Sequence, residues 1–373
     1  MDAVKAIFDP ELWARVPFGF WAGVMFIFGS MIGSFLNVCI YRMPLGLSVV
    51  SPPSHCPHCK YSIPWFLNVP LATWLSLGGK CRNCGAPISP RYFLVELLTA
   101  LLFLGCWVRF GHASAWVAVV MGIFLAGLVT ATFIDFEHYI IPDEITIGGM
   151  VVGVLVSLLL PSLHERAVFT EGLIQSVIGL AVGGGLVYGV LRAGKLLFGR
   201  QHLKLPEKTR VVFSETALHL PDQSIPYEEI FYRRSDAVVL QAQQVELIDR
   251  GYQNVRVKLA LLGQRLEIGE ERFDPETCQH LEVVTSELIL PREAMGLGDV
   301  KFMAAIGAFL GWPAVVFSLM VSSMIGAAVG LTLIVIGKRE WSSRLPYGPY
   351  IAMAAAIWVF AGRPILNYFF PPL

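Results

Sequence analysis

Gly296-Leu297-Gly298-Asp299-Val300-Lys301 opens the apolar run 302–310 and sets a carboxylate at the mouth of a membrane helix. The two glycines ahead of that carboxylate let other backbone approach closely. An acidic residue at such a depth is expensive and marks a functional site with a partner to be named. The plain alternative is that Asp299 caps a helix N-terminus, where Asp is favoured in any case. The partner is Asp135, in Phe133-Ile134-Asp135-Phe136-Glu137 at the end of another apolar run.

The 373 residues are 55% hydrophobic and 15% charged, with a mean hydropathy of +0.62. A soluble domain carries about 25% charged residues, and several runs here approach the ~20 apolar residues that span a bilayer. The chain reads as an integral helical membrane protein. Its formal net charge is zero, so no global basic field points to nucleic acid. Asp2, Asp9 and Glu11 precede the first apolar run and no cleavage site follows it, so no secretory signal is expected.

Apolar runs follow at 18–40, 93–108, 116–134, 145–160, 173–191, 300–310, 314–336 and 350–360. The first carries Gly29-x-x-x-Gly33, and the fifth carries Gly179, Gly183, Gly184, Gly185 and Gly189. Both are small-residue faces suited to close helix packing, and Asn37 reads as an interhelical hydrogen-bonding group. From 192 to 293 hydrophobicity collapses, and strand-like alternation appears in 210–220, 237–248, 254–268 and 281–290. That stretch holds no cysteine pair, phosphate loop or histidine cluster, so it reads as a docking or structural module. The expected fold is an all-α polytopic membrane protein of about eight transmembrane helices, with a cytoplasmic four-cysteine zinc loop and an inserted soluble β-rich domain. Its segments are 1–43 (N-terminal segment and first span), 44–92 (cysteine loop), 93–191 (second to fifth spans), 192–293 (insertion) and 294–373 (last three spans).

Orientation comes from Lys and Arg in the short loops. Arg42, Lys60, Lys80, Arg82 and Arg91 fall in the first loop, and Lys338, Arg339 and Arg344 in the last. Lys5, Arg15, Arg109, Arg166 and Arg363 fall on the opposite side. The bias puts the cysteine loop inside and the N-terminus outside. Counting spans then places Asp135, the insertion and Asp299 on one cytoplasmic face.

Cys56-Pro57-His58-Cys59 and Cys81-Arg82-Asn83-Cys84 offer four soft ligands in two tight pairs. Each pair can bite one metal ion, and two bites complete a closed tetrahedron of the structural zinc kind. Redox-active dithiols are the alternative, but such motifs come singly in a βαβ context. Cys39 and Cys106 lie within apolar runs and read as inert hydrophobes; Cys278 stands alone. The paired pattern points to a reducing compartment for the loop.

Two aspartates close together cannot both ionise cheaply, so they share a proton. The ionised member takes a proton from a water that attacks a carbonyl, while the protonated member polarises that carbonyl. Other nucleophilic designs fail, for the chain has neither G-x-S-x-G nor H-E-x-x-H. Among the nearby acids, Asp143 after Pro142 reads as a helix cap for the fourth span.

Gly296-Leu297-Gly298-Asp299 resembles the GxGD signature of intramembrane aspartyl proteases, and the chain around it resembles the bifunctional type IV prepilin peptidases of bacteria. Gly33-Ser34-Phe35-Leu36-Asn37-Val38, the double C-x-x-C loop, Ile88-Ser89-Pro90-Arg91 through Thr99, Ile134-Asp135 with Ile141-Pro142-Asp143, Ile306-Gly307-Ala308-Phe309-Leu310-Gly311-Trp312 and Pro346-Tyr347-Gly348-Pro349 match in order. The resemblance implies catalytic roles for Asp135 and Asp299. It implies removal of the basic leader from prepilins and pseudopilins at the cytoplasmic face of the inner membrane, serving type IV pili or type II secretion. It also implies N-methylation of the new N-terminus with S-adenosylmethionine, for which no cofactor fingerprint is visible. The insertion departs from the family's usual form and is a candidate for docking prepilins or assembly proteins. Three rivals stay open: a peptidase without methylation, a proton-coupled transporter, and a non-enzymatic zinc-loop scaffold.

Overall fold

A computed structural model describes residues 16–198, 200–221, 224–227, 230–231, 236–275, 278, 280–291, 296–337 and 345–369. Lys5, Arg15, Lys338, Arg339 and Arg344, which entered the orientation argument, lie outside the described residues. The chain forms two compact units, one of residues 1–188 and 297–373 and one of residues 189–296.

The first unit is helical. Its long helices are α1 (Phe18–Arg42), α2 (Pro90–Phe110), α3 (Ala115–His138), α4 (Asp143–Leu159), α5 (Phe169–Phe198, whose end from Gly189 onward belongs to the second unit), α6 (Leu297–Leu310), α7 (Trp312–Val335) and α8 (Gly348–Phe369). Helix starts follow local chemistry. Ser89 and Ser114 cap α2 and α3, accepting from the Arg91 and Val117 amides, which satisfies otherwise free N–H groups. The α3 helix stops at Tyr139, whose left-handed backbone (φ 56°) turns the chain toward Ile141 and Pro142.

Five of these helices are long and apolar enough to cross a membrane, namely α1, α2, α3, α5 and α7. The α4 and α6 helices, of 17 and 14 residues, reach only about 26 and 21 Å at 1.5 Å per residue, short of a hydrocarbon core of about 30 Å. The apolar part of α8 is also short, Gly348–Gly362.

Glycines set the helix contacts. A Cβ on Gly29 would lie 2.8 Å from Phe103 Cβ, and one on Gly33 would lie 2.7 Å from Glu96 Cα, so α1 and α2 touch backbone to backbone. Gly179 and Gly183 of α5 meet the backbone of Gly307 and Met303 in α6 in the same way. Gly149 and Gly153 of α4 meet Ala305 and Ala308 of α6. Asn37 donates to the Tyr92 carbonyl of α2 at 3.1 Å, the interhelical role its position implied.

The far end of α6 is held by a buried polar knot. Ser157 and Ser176 both donate to the Ala308 carbonyl, at 3.3 and 2.8 Å, and Ser157 Oγ lies 2.8 Å from His164 Nε2. Gly311 then turns the chain directly into α7 with φ +78°.

The second unit is an antiparallel sheet. Its strands are β1 (Arg200–Phe213), β2 (Ala217–His219), β3 (Ser224–Pro226), β4 (Val238–Glu246), β5 (Gly251–Ala260), β6 (Arg265–Ile268), β7 (Glu271–Phe273) and β8 (Leu281–Pro291), in the order β3-β2-β1-β8-β4-β5-β6-β7. Alternate residues such as Val211, Leu240, Val257, Leu266 and Val283 form its core. The first and last strands pair from Arg200 opposite Pro291 onward, so the chain enters and leaves the unit side by side.

Two expected strands are each two strands. The 210–220 run breaks at Ser214, whose hydroxyl accepts from the Ala217 amide, and 254–268 breaks at Leu261–Gly263 with Gln264 left-handed. Apolar residues on both sides of these tight turns had kept the alternation running through them.

Candidate active site and metal centre

Asp135 lies in the last turn of α3 and Asp299 in the first turn of α6. Both are buried, at 5% and 8% exposed. The Gly348 amide, at the start of α8, donates to Asp135 Oδ2 at 2.9 Å. A Cβ at Gly348 would lie 2.8 Å from that oxygen and 3.1 Å from Ile141 Cδ1. Ile141 also faces the other motif, because a Cβ on Gly298 would lie 3.5 Å from its own Cβ. One buried side chain therefore touches both Gly348, which holds Asp135, and Gly298, which precedes Asp299. Gly296 is exposed just ahead of α6.

Surface ion pairs brace the same end of the helices. Arg91 at the start of α2 pairs with Glu137, two residues past Asp135. Lys301 of α6 reaches Asp143 Oδ1 at 2.7 Å. The expectation that Asp143 caps α4 needs correction. Pro142 holds the cap position, and Asp143 is the first helical residue, where it complements the helix dipole and receives Lys301. Ile141 and Gly348 entered the sequence reading only as members of motifs. Their contacts join positions far apart in the chain, which no local pattern displays.

Cys56, Cys59, Cys81 and Cys84 converge, with all four sulfurs within 4.8 Å of one another. The Cys56–Cys84 and Cys59–Cys81 sulfurs are 3.9 and 4.0 Å apart. A tetrahedral zinc with Zn–S bonds of about 2.3 Å needs sulfur–sulfur edges of about 3.8 Å, so the donor set fits such an ion. Two equivalent turns build it. Lys60 N donates to Cys56 O and Gly85 N to Cys81 O, each at 2.9 Å, with Lys60 and Gly85 both left-handed. The Asn83 side chain donates to Cys59 Sγ at 3.5 Å. That bond, aided by the Tyr61 backbone, holds the Cys59 thiol down at about 6. Backbone amides of Cys84 and Asn83 lower Cys81 as well. The turns thus favour the thiolate form that a metal requires at Cys59 and Cys81, while at Cys84 the lowering Ala86 backbone bond is outweighed by the neighbouring sulfurs, which push it up to about 11.

Comparison with known proteins places these features in a family. Residues 27–110 match the model described as Bacterial Peptidase A24 N-terminal domain. Residues 122–203 and 280–331 match the Type IV leader peptidase family. The chain belongs to that family of peptidases. Its relatives include the prepilin leader peptidase/N-methyltransferase of Aeromonas hydrophila, 28% identical over 93% of this chain and 92% of its own. The protein of the same description from Myxococcus xanthus is 48% identical over 35% of this chain and 38% of its own. That of Stutzerimonas stutzeri is 24% identical over 91% and 90%. No solved structure matches. The cysteine cluster falls in the first matched region and both aspartates in the second, whose match is interrupted from 204 to 279.

Proposed function

We propose that the chain is a membrane aspartyl endopeptidase that removes the leader of type IV prepilins and pseudopilins, with Asp135 and Asp299 as its catalytic pair. The carrying observation is their joint position: two buried carboxylates, from helices over 150 residues apart in the chain, share one end of the bundle through Ile141 and Gly348. One carboxylate, ionised, accepts a proton from water as the water oxygen bonds to the scissile carbonyl carbon. The other, protonated, donates to the carbonyl oxygen. Collapse of the tetrahedral adduct breaks the carbon–nitrogen bond, and the departing amine takes up a proton from the pair. A shared proton is what two adjacent carboxylates supply.

In this reading the helices cross the bacterial inner membrane eight times, with the aspartates, the cysteine loop and the β-rich insertion on the cytoplasmic side and the N-terminus outside. The short α4 and α6 cross where the bilayer thins to meet them. The four cysteines hold a structural zinc ion; with no open ligand position it shapes the loop and takes no part in cleavage. The relatives' description supports a second activity, N-methylation of the newly exposed N-terminus with S-adenosylmethionine. Products feed pilus assembly or type II secretion, and the insertion is the surface for prepilins or assembly proteins.

The test is a cleavage assay on purified protein in lipid. Its substrate is a peptide with a basic leader, a glycine and a following apolar helix. Cleavage after the glycine, plus one methyl mass with S-adenosylmethionine, is the expected result. An intact peptide across several leaders from the same genome contradicts the peptidase reading and favours a scaffold.

A further inference from the structure

A groove of about 880 Å³ runs between an exposed face of α1 and the cysteine loop, lined by residues between 26 and 75. Ile27, Met31 and Phe35 form one wall, and Val50, Pro53 and Leu75 the other. Its size falls within the range of small-molecule and cofactor sites, about 300–1,000 Å³. One charged side chain lines it and a second lies behind its wall, each 8% exposed. Arg42 lines the groove at the end of α1, and its guanidinium donates to the Ser48 and Pro52 carbonyls at 3.0 and 2.7 Å. Glu96 of α2 stands behind the wall, hydrogen-bonded to the Ser34 hydroxyl and accepting from the Leu71 amide at 2.7 Å. Among the described residues neither stands in an ion pair with another side chain. Buried charges without a counter-charge are costly and mark a functional site by default.

The backbone bordering Glu96 is itself strained. Leu71 has φ 60° and ψ −54°, and the Ala72 amide turns back to the Pro70 carbonyl at 2.6 Å. That is a γ-turn of the rare, strained hand, and such strain collects at ligand sites.

We propose that this groove binds the methyl donor, a nucleoside sulfonium carrying an amino-acid carboxylate. The inference rests on the methyltransferase half of the proposed function. Relatives' descriptions carry two activities, and both aspartates lie in the peptidase-family match. Every lining residue of the groove except Phe26 lies in the other match. Charge fits as well. Arg42 has donors left beyond the two carbonyls it serves and takes the carboxylate. Ser34, which lines the groove with Glu96 hydrogen-bonded behind it, stands at the sulfonium end, eight residues or about 12 Å along the helix from Arg42. The apolar walls take the base. In the transfer, the uncharged N-terminal amine of the cleaved substrate bonds to the methyl carbon as the carbon–sulfur bond breaks. The electron pair stays on sulfur, leaving a neutral thioether, and the surplus proton on nitrogen leaves to water. The open face of the groove lets the substrate's apolar helix bring its amine alongside.

The test uses the full chain in lipid nanodiscs, with tritiated S-adenosylmethionine and a peptide already lacking its leader. Ala72→Trp fills the groove, and Glu96→Gln removes one charge at little change of shape. Zinc content and leader cleavage report on the loop and the aspartate pair. The expected result is at least a tenfold loss of donor binding and methyl transfer in both variants, with cleavage and zinc within twofold of wild type. Transfer retained by both variants overturns the groove assignment alone. So does native mass spectrometry showing a phospholipid there that the donor does not displace. A wild type that cleaves but neither binds donor nor transfers methyl overturns the methyltransferase reading, and the groove assignment with it.

Discussion

Asp135 and Asp299 are almost equally buried, yet the fold holds them by opposite means. Asp135 ends α3, where the negative pole of its own helix opposes a carboxylate, and the compensating donor is the Gly348 amide, 213 residues along the chain. Asp299 begins α6, where the positive pole of its own helix favours a carboxylate. Asp135 takes a distant contact against the pole of its own helix, whereas the pole of Asp299's helix favours its charge. The Gly348 contact is therefore a point at which Asp135, one member of the proposed pair, can be disturbed.

Gly348→Ala is the sharpest way to break this contrast. The added methyl group would stand 2.8 Å from Asp135 Oδ2 and must turn the carboxylate. A misplacement on the order of 1 Å costs about 10²-fold in rate. That loss is expected in kcat with KM little changed, measured by leader cleavage. Gly298→Ala meets only ordinary contact, 3.5 Å from Ile141 Cβ. Its effect is expected in KM, through closer crowding of substrate backbone. The loss is roughly fivefold, or about 1 kcal/mol. Equal kcat losses in the two variants would erase the difference between the supports.

The far end of α6 offers a gentler test. Burial, with the Arg166 charge adding to it against an opposing bond to Ala308, pushes His164 down to about 4. The unfolded chain returns it to about 6.5. Between those values the unfolded state binds the extra proton, so this contribution is present above about 6.5 and is lost as pH falls toward 4. Thermal unfolding in detergent should show Tm dropping by several degrees from pH 7 to pH 5. His164→Gln should flatten that slope. An unchanged slope in the variant would remove His164 from the anchoring of Asp299's helix.

Much of this was legible beforehand, and the rest was hidden for identifiable reasons. The helices announced themselves as apolar runs, and the cysteine pairs announced a tetrahedral site whose sulfurs do converge. The Gly29 and Gly33 face signalled its packing because only small residues permit backbone contact. Ile141 and Gly348 gave no local sign, since their contacts join segments remote in sequence. The Ser157–His164 knot gave no local sign for the same reason. Strands 210–220 and 254–268 were read as single because alternation continues through a tight turn when its flanks are apolar. Glu96 was passed over as one letter in a motif, although its carboxylate holds the strained turn at Leu71.

The most direct test of the central claim is cleavage by Asp135→Asn, Asp299→Asn and the double variant, each with zinc content confirmed. Two carboxylates that act as a unit lose their effect together, so losses do not add. The expected result is that each single variant abolishes cleavage and the double is no worse than either. A single variant that still cleaves at a substantial rate, or a double whose loss is the product of the two, would contradict a shared catalytic pair.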